Sequence, residues 1–277
     1  MGLLDVETWV RRYWLRAEQF DGLQIGDLVR IDGEELHHIR DVCRQGRGDR
    51  FEVLLDGRAF LVEVNEVGKK QLIARIILIR EIPPLPLPSL NLALSIPRFP
   101  VFEAVLEKCV ELGVSSVHPV FSERSFLRQN FEQWLAKESR FRKIIVSATQ
   151  QCGRGELMRL EPALSLSEIQ QRVFLPAHES SRKMTLFAYE GGVDEQGRRL
   201  STSSLRLAIE EWRLKTKEVS PEEIWLFIGG EGGYSRQEVE TFRALGCDPV
   251  SLGDQVLRVE TACVSLIAIV LHEFRYR

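Results

Sequence analysis

The stretch REIPPLPLPSL, Arg80 to Leu90, constrains this chain more than any other. Its four prolines remove backbone donors and hold the chain extended, so neither a helix nor a central strand runs through it. It predicts a linker over 83–90 between a first domain, 1–82, and a second, 91–277. The two sides differ in rhythm. Ahead of the prolines, DLVRI, RFEVLL, AFLVEV and QLIARIILI are β-rich segments separated by Asp-Gly, Gly-Lys and Gly-Arg-Gly-Asp turns, which fits a small β-barrel or sandwich. One segment there, GEELHHIRDVC, sets Leu36, Ile39 and Cys43 at helical spacing; His37 and His38 beside that stripe read as packing residues.

Beyond the prolines the pattern becomes strand, helix, strand. LNLALSI, PVFEAVLEKCVELG and VSSVHPVF come first, with Gly113 where a left-handed helix C-cap belongs. RFRKIIVSATQQ reads as helix, KMTLFAYE and EEIWLFIGG as strands, SRQEVETFRALG as helix, PVSLG as strand and ETACVSLIAIVLHEF as helix. Such alternation implies an α/β domain with a parallel sheet.

At 277 residues two domains or one large one are expected, and 44% hydrophobic with 28% charged residues describes a folded globular chain. No apolar run nears the roughly 18 residues a bilayer span needs, and MGLLDVETWVRR lacks a signal-peptide layout, so no membrane partner and a cytoplasmic location are expected. The five cysteines form no C-x-x-C pair and none neighbours histidines at ligand spacing, so no metal is expected. A net charge of -3 argues against non-specific coating of nucleic acid. A local basic stretch runs from Arg124 through Arg128, Arg140, Arg142 and Arg154 to Arg159.

In FIGGEGGYSRQE a strand ends at Ile228, four glycines surround Glu231, and Ser235 with Glu238 writes a capping box. The run fits neither the phosphate-cradling loop of nucleoside triphosphatases nor the dinucleotide fingerprint. Alone, it reads equally as a tight turn with a solvated Glu231. A second loop, PVSLGDQVLRVETA, repeats strand, glycine and helix start, and two such loops enclose one small ligand at the carboxyl edge of a parallel sheet. The final helix, apolar almost all round, reads equally as core or as an interface between subunits.

Together these residues resemble the SPOUT methyltransferases, and most closely the RsmE family of 16S ribosomal RNA uridine-N3 methyltransferases. IGGEGGYS and LGDQVLRVETA resemble the family's two C-terminal motifs; EKCVELGVSSVHPVFSERS, TQQCGR and HHIRDVCRQGRGDRFEVLLDG resemble three further stretches, so the likeness covers nearly the whole chain. Departures from the family pattern are Gly230 for proline, Gln150 for glutamate, Asp254 and Gln255 for Pro-Arg, Val259 for threonine and Val101 for lysine.

The resemblance implies an RNA-binding, PUA-like β-barrel domain followed by a SPOUT-type parallel-sheet domain with a C-terminal trefoil knot, working as a homodimer. It implies S-adenosyl-L-methionine as cofactor and 16S ribosomal RNA within the small ribosomal subunit as partner, methylated at N3 of a uridine. A methyltransferase of another RNA, or a non-catalytic RNA-binding relative, would share these features. The cofactor is expected against Ile228, Gly229, Gly230, Glu231, Gly232, Gly233, Leu252, Gly253, Val256, Leu257, Thr261 and Ala262, the glycines leaving backbone bare for the adenine edge and the aliphatic residues walling the pocket. Arg258 and Arg154 are the candidate cations for a uridinate, and Glu231 is the carboxylate that orients the loop or accepts the proton. Arg12, Arg40, Arg44, Arg124 and Arg128 are the expected RNA contacts.

Overall fold

The computed structural model describes residues 10–15, 20–128, 130–175, 182–191 and 202–276; the start of the N-terminal segment weighed as a signal peptide, 1–9, lies outside them. The chain forms two compact units, Met1–Pro84 with Val146–Leu157, and Leu85–Ile145 with Met158–Arg277.

In the first unit the four expected strands form as β2 (Leu28–Asp32), β3 (Arg50–Leu55), β4 (Arg58–Val67) and β5 (Gln71–Glu81). A fifth, β1 (Arg12–Trp14), pairs parallel with β3, and the sheet order is β1-β3-β4-β5-β2. Register shifts at Leu61/Val62 and Val64/Glu66 mark irregularities in the β4–β5 pairing, the kind of feature that bends a sheet. Both edge strands feed one core, where Tyr13 and Ile31 join Phe51, Phe60, Val62 and Ile76. The helical segment forms as α1 (Gly33–His37), which runs into a π-helical turn over His38–Val42; Leu36 and Ile39 are buried, as their spacing requires. Glu52, buried between Phe51 and Val53 of the same strand and so on the other face of the sheet, lies 3.0 Å from both Arg12 and Arg80. Burial works to raise its carboxyl, but hydrogen bonds from Arg80 and then Arg12 outweigh it and hold the group below the ordinary carboxylate value.

The second unit is built on an eight-stranded, wholly parallel sheet: β6 (Ser89–Ser95), β7 (Ser116–Phe121), β8 (Arg159–Leu160), β9 (Leu164–Ser165), β10 (Lys183–Ala188), β11 (Ser203–Ser204), β12 (Glu223–Ile228) and β13 (Pro249–Ser251). The order is β11-β13-β10-β12-β6-β7-β8, with β9 beside β7. β6, β7 and β12 are almost wholly buried; β12 reads as an unbroken apolar run from Ile224 to Ile228, whereas β6 and β7 bury Asn91, Ser116 and His118 among their apolar residues. The helices are α2 (Phe99–Glu111), α3 (Phe131–Cys152, whose end belongs to the first unit), α4 (Leu166–Phe174), α5 (Leu205–Lys215), α6 (Arg236–Ala244) and α7 (Val259–Phe274). Gly113 takes φ +77° just past α2, the left-handed position its place predicted. α7 packs along α2 and buries Cys263, Leu266, Ile267, Val270 and Leu271, while Ile269 on another face is 42% exposed. No helix among the described residues is long and apolar enough to cross a membrane.

Candidate cofactor pocket at the carboxyl edge of the sheet

β10, β12 and β13 lie side by side and end together at Ala188, Ile228 and Ser251. Their ends and the loops that follow enclose one pocket, lined by Ala188, Tyr189, Glu190, Ile228, Gly229, Gly230, Gly233, Tyr234, Val250, Ser251, Leu252, Gly253, Gln255, Leu257, Val259 and Ala262. The two glycine loops thus meet at one site. Among the residues expected there, Ile228, Gly229, Gly230, Gly233, Leu252, Gly253, Leu257 and Ala262 line it. Glu231, Gly232, Val256 and Thr261 are exposed beside it, with Val256 at 73%.

Sequence reasoning missed Tyr189, Glu190 and Tyr234, and treated Gln255 and Val259 only as departures. Tyr189 and Glu190 follow β10 and stand just before Gly191 and Gly192, a glycine pair that could have flagged a third loop; the pairing of β10 between β12 and β13 brings them in. Tyr234 is buried and donates its hydroxyl to the Ile228 carbonyl at 3.1 Å, tying the end of the glycine loop to its start. Burial pushes that phenol well above its usual pKa, so it stays protonated as a donor.

The first loop is held from several directions. Gly233 N–H donates to the Gly230 carbonyl at 2.9 Å, and Arg124 Nη1 donates to the Gly232 carbonyl at 3.3 Å. A Cβ on Gly229 would stand 3.0 Å from Gly233 Cα, one on Gly230 3.3 Å from the Ser95 carbonyl, and one on Gly232 2.9 Å from Arg124 Cβ. The chain itself therefore crowds these three glycines, two of which, Gly229 and Gly230, also line the pocket. Gly253 differs: a Cβ there would meet nothing within 4 Å, and its φ of +142° is what excludes other residues. Gly230 is buried and packed against Ser95 to Pro97.

Glu231 turns its carboxylate away from this turn to the start of α2, where it accepts the Arg98 N–H at 3.1 and 3.3 Å. A carboxylate there meets the positive end of the helix. Glu238 does similar work for α6, accepting Ser235 N–H and Glu123 N–H at 2.8 Å each. Arg258 is the N-cap residue of α7; its carbonyl accepts Ala262 N–H at 2.8 Å and its side chain is exposed at the end of the second loop.

The remaining expected cations sit in different surroundings. Arg154 belongs to the first unit, where its guanidinium is buried and 3.6 Å from Glu156. Arg12 is bound to Glu52 and to the Gln151 carbonyl at 3.2 Å. Arg40 spends its guanidinium on Asp41 and on the carbonyls of Gly68 and Lys69. Arg44 and Arg128 are exposed, both at positive φ. Arg140, Arg142 and Arg159 are paired with Glu103, Glu138 and Glu161, which neutralises much of the basic stretch read from the sequence. Among the described residues no group of acidic, histidine and cysteine side chains is placed to hold a metal.

The model of an RNA methyltransferase domain matches residues 83–271, and that of an RNA methyltransferase PUA domain matches 31–77. The chain is 28% identical over 237 residues to ribosomal RNA small subunit methyltransferase E of Synechocystis, covering 84% of this chain and 69% of that one. It is 26% identical over 249 residues to the protein of the same name from Aquifex aeolicus, covering 89% and 95%. A methyltransferase of Legionella pneumophila, solved with the bound cofactor SAM, superposes with a TM-score of 0.75 at 25% identity, covering 96% of this chain and 98% of that one. With an α/β unit carrying a pocket at its sheet edge and a preceding PUA-type unit, this chain belongs to the RNA methyltransferase family, as a member of its RsmE group.

Proposed function

We propose that the protein transfers a methyl group from S-adenosyl-L-methionine to 16S ribosomal RNA of the small ribosomal subunit, at N3 of a uridine. The observation that carries this reading is the pocket at the carboxyl edge of the sheet, formed where both glycine loops meet. It lies within the segment matched by the RNA methyltransferase domain, and the Legionella pneumophila relative was solved with SAM.

The residues fit that cofactor. Leu252, Leu257, Val259 and Ala262 supply apolar wall, and the backbone of Gly229, Gly230 and Gly253 supplies donors and acceptors with no side chain above them. Glu190 and Gln255 add the polar groups that fix a ligand's orientation. The bound cofactor supplies an electrophilic methyl on a sulfonium, so what the protein must add is alignment and a deprotonated nitrogen. Arg258, exposed at the N-cap of α7, is the cation that favours the uridinate. The bond from Glu231 to Arg98 N–H supports the loop-orienting role for that carboxylate over proton acceptance. Because N3 lies on the pairing edge, the uridine must be unpaired when it reacts.

The rest of the reading follows the same family. A trefoil knot is proposed for the β12–α7 segment, a homodimer for the exposed face of α7, and the cytoplasm as the place where such a substrate is met. Calorimetric titration with S-adenosyl-L-methionine tests the pocket: one site per chain with micromolar or tighter affinity is expected, and no heat at millimolar cofactor contradicts the reading.

A further inference from the structure

The turn after β7 carries a feature the methyl-transfer reading leaves unused. Phe126 is 51% exposed although its ring packs edge-on against Phe99, with centroids 5.9 Å apart. Phe99 in turn contacts Phe141, and Lys137 Nζ stands 5.9 Å over the Phe99 ring. The backbone holds this geometry: Phe126 N–H donates to the Ile96 carbonyl at 2.9 Å, and Ser125 anchors to the Ser122 carbonyl at 2.9 Å. Ile96 and its neighbours are also what Gly230 packs against, so the Phe126 backbone and the first pocket loop share the end of β6 as their support.

The charges around this ring decide what it suits. Most arginines along the basic stretch are neutralised by carboxylates. Among the described residues Arg98, Arg124, Arg128 and Lys137 form no ion pair, and all four are exposed. They sit on the turn that holds Phe126 and on the helices that carry Phe99 and Lys137. An exposed aromatic face among cations that form no ion pair is poor company for the core of a protein interface, from which charge is depleted. It is the combination that binds a single strand of nucleic acid: a ring on which any base stacks, and cations for the phosphates beside it.

We propose that Phe126 is a stacking platform for an unpaired base of the RNA, with Arg98 and Arg128 contacting the adjoining phosphates. The platform holds the strand open next to the pocket, the condition a reaction on a pairing edge requires. This inference rests on the methyl-transfer reading for its RNA, and the two fail separately.

The test uses the full chain, a short uridine-rich single-stranded RNA with a fluorescent end, and the same strand annealed to its complement. Wild type is expected to bind the single strand more tightly than the duplex. Phe126→Leu is expected to lose about 5- to 150-fold in single-strand affinity, the range for one aromatic–base stack, while Phe126→Tyr keeps it. Cofactor affinity, measured by calorimetry, is unchanged in both. Arg128→Gln is expected to lower the slope of log affinity against log salt by about 0.7, as loss of one single-strand phosphate contact does. The inference is overturned if Phe126→Leu binds like wild type, or if the duplex binds as tightly as the single strand. It is also overturned if that variant changes only the oligomeric state in light scattering, which would make the patch a contact between copies. Wild type that binds the cofactor but neither RNA sinks the platform and leaves the pocket standing; wild type that binds no cofactor sinks the methyl-transfer reading.

Discussion

At the scale of residues, the glycines of the first loop are more demanding than their number suggests. A run of four around Glu231 was legible as a place where something approaches the backbone. That the approaching atoms belong to Ser95, Ile96 and Arg124 was not, because they are far away in the chain and meet the loop only once β6 and β12 pair. Gly232→Ala forces its new methyl to within 2.9 Å of Arg124 Cβ and 3.0 Å of the Arg124 carbonyl. Such overpacking costs about 1–3 kcal/mol, and a lower denaturation midpoint with weakened cofactor binding is expected. A variant as stable as wild type would show that the turn gives way freely. The same distance along the chain explains why Glu231 was read with two roles: its partner, Arg98 N–H, lies at the start of another helix.

Among the elements, β12 declared itself through an unbroken apolar run, Ile224 to Ile228, and α2 and α7 through apolar residues and their glycine or loop boundaries. Two-residue strands such as β8, β9 and β11 did not, since pairing rather than composition defines them. The short first strand, RYW, was hidden in a polar, arginine-rich stretch for the same reason. Adjacent strands also carry a buried polar chain that no local pattern announces. His118 on β7 reaches Ser116 at 2.8 Å, Ser116 donates to Asn91 on β6 at 2.5 Å, and Asn91 donates to Glu223 on β12 at 3.0 Å. With Ser116 donating onward, His118 holds its proton on Nε2. Burial, reinforced by Arg172 and then Arg159, pushes the imidazole down to about 3. The folded state thus resists a proton that the unfolded chain takes up near pH 6.5, so this group costs stability as pH falls from about 6.5 towards 3. Denaturant unfolding at a series of pH values should show that loss in wild type and a shallower one in His118→Asn; parallel curves would contradict the assignment. On α7 the exposed Ile269 marks the face proposed to meet a second copy. Ile269→Arg is expected to shift a dimer to monomer in sedimentation, whereas an unchanged mass would place the interface elsewhere.

For the whole molecule, the change of rhythm at the prolines, the parallel sheet and the meeting of two glycine loops were all readable, because each rests on periodicity or backbone-breaking residues. The charge map was not. A count of arginines cannot tell Arg140, spent on Glu103, from Arg128, which among the described residues forms no ion pair; only the fold assigns the carboxylates. The same holds for Arg12 and Arg40, which stitch the first unit together. The proposed methyl transfer requires the pocket between the ends of β10, β12 and β13 to present a methyl donor to ribosomal RNA. Its most direct test is to incubate the protein with isotopically labelled S-adenosyl-L-methionine and small-subunit ribosomal RNA from a strain lacking this chain, then digest the RNA and read its nucleosides by mass spectrometry. Label in N3-methyluridine, absent when Arg258 is replaced by alanine, is the predicted result; unlabelled RNA from a cofactor-bound protein and intact subunits would contradict it.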